Sequence, residues 1–329
     1  MKKRILALAI TTTALLAGCG NKTIKINPNK EKYVVGVCQL VEHPALDKAT
    51  NGFKDKLTSE LQAKGRSVDI QVKKGTGAAS DCATIINGFV ASDVDLIMAN
   101  ATASLQAAFN ATEIIPILGT SITEYSVATE LPMKDGKSGT NISGTSDIAS
   151  IEEQVNIMLQ LLNDSSKTVN KVGILYCASE ANSKFQVDEA KKFFEAKGKT
   201  VDARSFSETT DMAAVCVALA NNVDAVYIPT DNIVAENTEI VYSNIVKDKK
   251  IPVFCGEAGI CKGCGFATLS IDYYRLGEVT GKMACEILLG EKDIREYPIQ
   301  YDTNPTKMYN KAIAQELGIN IPADFVEIQ

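Results

Sequence analysis

Short apolar runs alternate along this chain with stretches whose apolar residues recur at helical spacing. "YVVGVCQL" (33–40) is strand-like, and the following "ALDKATNGFKDKLTSELQAKG" carries one apolar stripe and stops at Gly65, a natural helix terminator. "VDIQVKKG" predicts a strand, "DCATIINGFVAS" a helix, "VDLIMAN" a strand, "ASLQAAFNAT" a helix and "IPILGT" a strand. Strands separated by helical segments imply βαβ units on a parallel sheet. The unbroken apolar runs suit strands covered on both faces.

The same order then begins again. "KVGILYC" repeats "YVVGVC", "VDAVYIPTDN" repeats "VDLIMANAT", and "IPVFCGE" repeats "IPILGTS". Gly36 and Gly173, Gly65 and Gly198, Val94 and Val223, and Pro116 and Pro252 are matched pairs at nearly constant separation. The pattern predicts an α/β protein of two doubly wound parallel-sheet lobes with a hinged cleft between them. Boundaries are expected at 32–145 plus about 266–296 for the N-terminal lobe, and 146–265 plus about 297–329 for the C-terminal lobe.

The start of the chain adds an address. Lys2, Lys3 and Arg4 precede an apolar run that is too short for a membrane span of ~20 residues but has the size of a signal-peptide core. It ends in Leu16-Ala17-Gly18-Cys19, the pattern of a bacterial lipoprotein signal, which predicts a signal peptide over 1–18 and a lipid-bearing Cys19. Residues 19–31 then read as a tether. The expected location is extracytoplasmic, anchored to a bacterial membrane by lipid. A formal net charge of −6, more negative once the basic start is removed, argues against a nucleic-acid partner. Several of the nine cysteines close strand-like runs, as Cys38, Cys177 and Cys255 do, and read as small buried hydrophobes.

In open α/β sheets, ligands bind beyond the carboxyl ends of the strands. Those ends are rich here in hydroxyl, amide and carboxylate groups. Thr102, Ser104, Thr120 and Ser121 are candidates to meet a carboxylate with hydroxyls and free backbone N–H groups. Asp147, Asp231, Glu257 and Asp272 are candidates to pair with an ammonium. Each is equally readable as a helix cap. Catalysis has no constellation behind it. The chain has one histidine, His43, and neither a G-x-S-x-G nucleophile elbow nor a phosphate-binding P-loop. No enzyme activity, metal or cofactor is expected. Cys261 and Cys264 form a lone C-x-x-C beside Lys262, Gly263 and Gly265. It reads as a turn with free thiols, with a local disulfide or a metal or redox role as alternatives.

"HPALD", "NATASLQAAFN", "NISGTSD", "NSKFQ", "VYIPTDN" and "IDYYRLGEVTGKMACEILLG" together resemble the ABC-transporter substrate-binding proteins of the tryptophan/tyrosine type, a branch of the type I periplasmic-binding-protein fold. The resemblance runs from about Tyr33 to "LGINIP". It implies a monomeric receptor that closes on an aromatic amino acid and delivers it to a permease with a cytoplasmic ATPase. The family's cleft loops correspond to Gln39, His43, Asn100, Thr102, Thr120, Ser121, Asp147, Asn182, Ser183, Gln186, Thr230, Asp231, Asn232, Glu257 and Asp272. Where a run such as "AVTDP" is expected, the chain has "TSITEYS", which makes Tyr125 a candidate ring neighbour. With no tryptophan in the chain, Tyr125, Phe185, Phe206 or Tyr273 must supply any aromatic wall. A receptor for another small solute, such as a nucleoside or a branched-chain amino acid, is the alternative.

Overall fold

The computed structural model describes residues 23–329. The signal peptide, Cys19 and the first part of the tether lie outside the described residues. In chain order the elements are β1 (Lys32–Gln39), α1 (Pro44–Ala63), β2 (Ser67–Lys74), α2 (Ala79–Ala91), β3 (Leu96–Asn100), α3 (Thr102–Ala111), β4 (Ile117–Ile122), α4 (Tyr125–Thr129) and β5 (Ile142–Ser146). The second half runs α5 (Ile151–Asp164), β6 (Lys171–Cys177), α6 (Ala181–Ala196), β7 (Thr200–Phe206), α7 (Thr209–Ala220), β8 (Ala225–Ile228), α8 (Asn232–Glu236), α9 (Thr238–Val241), β9 (Val253–Cys255), α10 (Ala258–Cys264) and β10 (Ala267–Ser270). Then come α11 (Tyr273–Leu288), β11 (Gln300–Tyr301), β12 (Thr306–Tyr309), α12 (Lys311–Glu316) and β13 (Val326–Glu327).

Two sheets result, ordered β11-β5-β4-β3-β1-β2 and β13-β12-β10-β9-β8-β6-β7. Every pairing is parallel except β10 with β12. All residues of β3 and β4 are buried, as the continuous apolar runs require. Strand alternation sends neighbours to opposite faces: Ile97 and Ala99 join the core under α2 and α3, while Leu96 and Met98 join the core under α1 and α11. The second lobe packs one large core around Tyr227, Phe254 and Phe266.

The chain crosses between lobes after β5, after β10 and after β11. β10 was expected in the N-terminal lobe but bonds to β9 and β12 in the second sheet. β11 was expected in the C-terminal lobe but bonds to β5 in the first. The N-terminal lobe's return segment therefore starts after β10 and ends with β11. A short parallel strand carries no signal of which sheet it joins, because both sheets ask for the same apolar residues.

The C-x-x-C lies on a helix rather than in a turn. Glu257 caps α10 by accepting from the backbone N–H groups of Gly259 and Ile260, and the helix runs to Cys264. Both cysteines are fully buried, and all eight cysteines among the described residues are buried and unpaired. A thiol reagent should accordingly modify few cysteines in the folded protein and eight after unfolding, Cys19 apart. Rapid reaction of two thiols in the native state would instead favour an accessible C-x-x-C.

Candidate functional site

The carboxyl ends of the two sheets face each other across a narrow space. The N-terminal lobe and the crossovers supply His43, Leu46, Ser121, Thr123, Asp147 and Tyr273. The opposite wall is Asn182, Thr230, Asp231, Asn232, Ala235 and Glu257. The gap is tight, with a free volume of about 10 Å³.

Three carboxylates surround this space, and no Lys or Arg lines it. Asp147, on the first crossover, accepts from the Thr123 hydroxyl at 3.1 Å and the Tyr273 hydroxyl at 2.9 Å. Asp231 caps α8 and also accepts from the Cys177 N–H and the Ser183 hydroxyl. Glu257 caps α10. Burial pushes all three carboxyls above the ordinary carboxylate range. A cation brought into the gap would reverse that penalty.

Two buried polar atoms on the cavity wall have no hydrogen-bond partner among the described residues: Ser121 Oγ and His43 Nδ1. Each residue is 6% exposed. Ser121 has φ 55°, a left-handed conformation unusual for a residue other than glycine, at a register shift between β4 and β5. Ala101, at the neighbouring strand end, has φ 89° and ψ 157°. Strained backbone maintained beside unpartnered polar atoms is characteristic of a functional site.

The expected site residues therefore divide. His43, Ser121, Asp147, Asn182, Thr230, Asp231, Asn232 and Glu257 line the cavity. Gln39 and Asn100 lie behind it. The Asn100 amide donates to Leu46 O and Thr50 Oγ1, the Thr50 hydroxyl donates to Gln39, and the Gln39 amide donates to Val41 O and Asp47. This network fixes the loop that carries His43. Gln186 brackets Thr230 by accepting from its N–H and hydroxyl, and Ser183 supports Asp231. Thr102 faces a separate, outer part of the interlobe space.

Other expectations are corrected. Thr120 pairs with Thr145 beneath the cavity, and Thr145 with Thr280. Ser104 is buried between Cys38 and Cys82. Tyr125 is no ring wall: it is sunk in the N-terminal core, its hydroxyl donating to Gly119 O and Thr145 O. Phe206 belongs to the C-terminal core, and half-buried Phe185 is not on the cavity wall. Asp272 is exposed and caps α11. Tyr273 is the aromatic residue that does face the gap.

Thr123, Leu46, Ala235 and Glu180 were not singled out in advance. Glu180 stands behind that wall, buried, and borders the outer part of the interlobe space; burial and the nearby Asp231 push its carboxyl up to about 8. It accepts from both the N–H and the side-chain amide of Asn232, from the Asn182 amide and from the Ile233 N–H. Its only sequence signal was a place in the strand-end loop "CASEANSK".

A family model described as ABC transporter substrate binding protein matches residues 34–327. The chain belongs to that family. A protein named tyrosine-binding protein from Clostridioides difficile (strain R20291) is 33% identical over 308 residues, covering 90% of this chain and 87% of that one. A domain from Streptococcus pneumonia solved in complex with L-Trp is 33% identical, with a TM-score of 0.82 over 89% of this chain and 96% of the other. A substrate-binding protein with adhesive properties from Clostridium difficile, solved ligand-free and open, is also 33% identical over 90% of this chain and 100% of its own, but its TM-score is 0.66. At equal identity the substrate-binding protein described here overlaps the tryptophan complex better than the open structure. Its two parallel-sheet lobes, of the type I periplasmic-binding-protein kind, meet directly where His43 Nε2 lies 3.2 Å from Asn232 Oδ1.

Proposed function

We propose that the chain is an extracytoplasmic receptor of an ABC importer that captures an aromatic amino acid between its lobes. It passes the ligand to a membrane permease driven by a cytoplasmic ATPase, and is held at the membrane as a monomer by lipid on Cys19. The observation that carries the ligand class is the ring of buried carboxylates around a gap with no basic lining residue, beside the ring of Tyr273 and the side chain of Leu46. The acids suit a ligand ammonium, Ser121 suits a carboxylate or other polar group, and the apolar surfaces suit a ring. The names of the relatives point the same way.

Titration calorimetry on protein stripped of ligand by unfolding and refolding tests this. At least one of tyrosine, tryptophan and phenylalanine should bind, and leucine and a nucleoside should not. No heat from any of the three aromatic amino acids would overturn the ligand assignment while leaving the family membership intact.

A further inference from the structure

We propose that His43 makes this receptor selective for aromatic amino acids whose ring carries a hydrogen-bond donor, a phenol or an indole, over phenylalanine. This rests on the aromatic reading above and adds to it a mechanism of choice.

A chain of hydrogen bonds with only one consistent direction runs from Glu180 to His43. Glu180 Oε2 accepts from the Asn232 backbone N–H at 3.0 Å, from the Asn182 amide at 2.9 Å and from the Asn232 Nδ2 at 3.0 Å. With two other N–H donors on it, that oxygen remains an acceptor even when the carboxyl's other oxygen carries a proton, so an amide oxygen turned toward it would be repelled and the Asn232 amide has one stable orientation. Its Oδ1 is thereby aimed across the interface at His43 Nε2, 3.2 Å away. An amide oxygen only accepts, so Nε2 must carry the proton. Burial holds the imidazole below its ordinary pKa, and the ring is therefore neutral. A neutral ring protonated at Nε2 bears a bare lone pair at Nδ1. That atom is the one left buried without a partner on the cavity wall.

The groups facing His43 limit what can satisfy that lone pair. Asp47, on the first turn of α1, is the charged side chain acting on the ring, and Asn232 is its neighbour from the other lobe. Neither is a donor to Nδ1. A ligand ammonium has better partners in Asp147, Asp231 and Glu257, carboxyl acceptors that line the same gap. The neutral acceptor suits a neutral donor, namely a phenol O–H or an indole N–H. Phenylalanine has no such group and would leave Nδ1 buried and unpaired, at a cost in affinity of about tenfold to a hundredfold.

Two measurements on the mature protein test the proposal. In calorimetry, tyrosine or tryptophan should bind about tenfold or more tighter than phenylalanine, and His43→Leu should remove most of that gap by weakening the ring-donor ligand. Equal affinity for all three in the unaltered protein, or an equal loss for all three in His43→Leu, would overturn the selectivity role. Binding of none of them would instead overturn the aromatic reading itself. The second measurement needs no variant. The chain has a single histidine, so protein made with 15N-labelled histidine and no histidine tag gives one unambiguous ring. In the tyrosine or tryptophan complex, Nε2 should be protonated and Nδ1 should show the shift of a hydrogen-bonded acceptor. In the phenylalanine complex Nδ1 should show the shift of an unbonded one. A proton on Nδ1, or identical Nδ1 shifts in both kinds of complex, would refute the assignment.

Discussion

Asp147→Ala is expected to weaken amino-acid binding by about thirtyfold or more, the range seen when one partner of a buried charge pair is removed (about 2–5 kcal/mol). Asp147 sits on the first crossover, where it faces both lobes. Its two oxygens are oriented by Thr123, which follows β4 in the N-terminal lobe, and by Tyr273, which opens α11 after the crossover that follows β10. A carboxylate pre-set by two hydroxyls, but lacking a cation, gains most from a ligand ammonium. Asp147→Asn should fail nearly as badly, since it keeps the shape and loses the charge. The lobes themselves should unfold nearly as before, because none of the hydrophobic cores includes the residue. Titration calorimetry with thermal unfolding as the control checks this. Unchanged affinity in Asp147→Asn would place the ammonium elsewhere.

The second large effect is on folding. α1 and α11 cross at a contact where glycines replace side chains. A Cβ on Gly277 would lie 2.0 Å from the Ala49 carbonyl oxygen, and one on Gly52 would lie 2.0 Å from that of Tyr274. Backbone cannot move aside as a flexible side chain does, so the helices must separate. Gly277→Val should cost ~3 kcal/mol or more, at or beyond the upper range for overpacking. For a lobe of this size that is a fall of roughly 6–12 °C in melting temperature. Gly65→Ala is the control. Gly65 has φ 69° but nothing within 4 Å, so only conformational strain of about 1 kcal/mol is incurred. If the two variants melt alike, the close crossing is not what holds the N-terminal lobe together.

Much of the fold was readable because burial on both faces imposes continuous apolar strands, and because the two lobes repeat one another. What escaped was local geometry. Strand alternation places Thr120 and Ser121 on opposite faces but cannot show the register shift that turns Ser121 to the cavity. The same irregular segment draws the Tyr125 hydroxyl to Gly119 O, which takes that ring into the core. The C-x-x-C was read from its glycines as a turn, while the deciding residue was Glu257, whose carboxylate starts the helix. Glu257 and Asp231 show that capping and lining a cavity are compatible roles, whereas Asp272, with the same capping signature, points to solvent. Sequence cannot separate these cases, because the difference lies in which loop from the other lobe arrives opposite.

A crystal structure of the mature protein grown with tyrosine or tryptophan tests the receptor reading most directly. It should hold one amino acid between the lobes, its ammonium within hydrogen-bond distance of Asp147, its ring beside Tyr273 and its ring donor on His43 Nδ1. Ligand bound outside the interlobe gap, or an ammonium turned away from all three buried carboxylates, would contradict it.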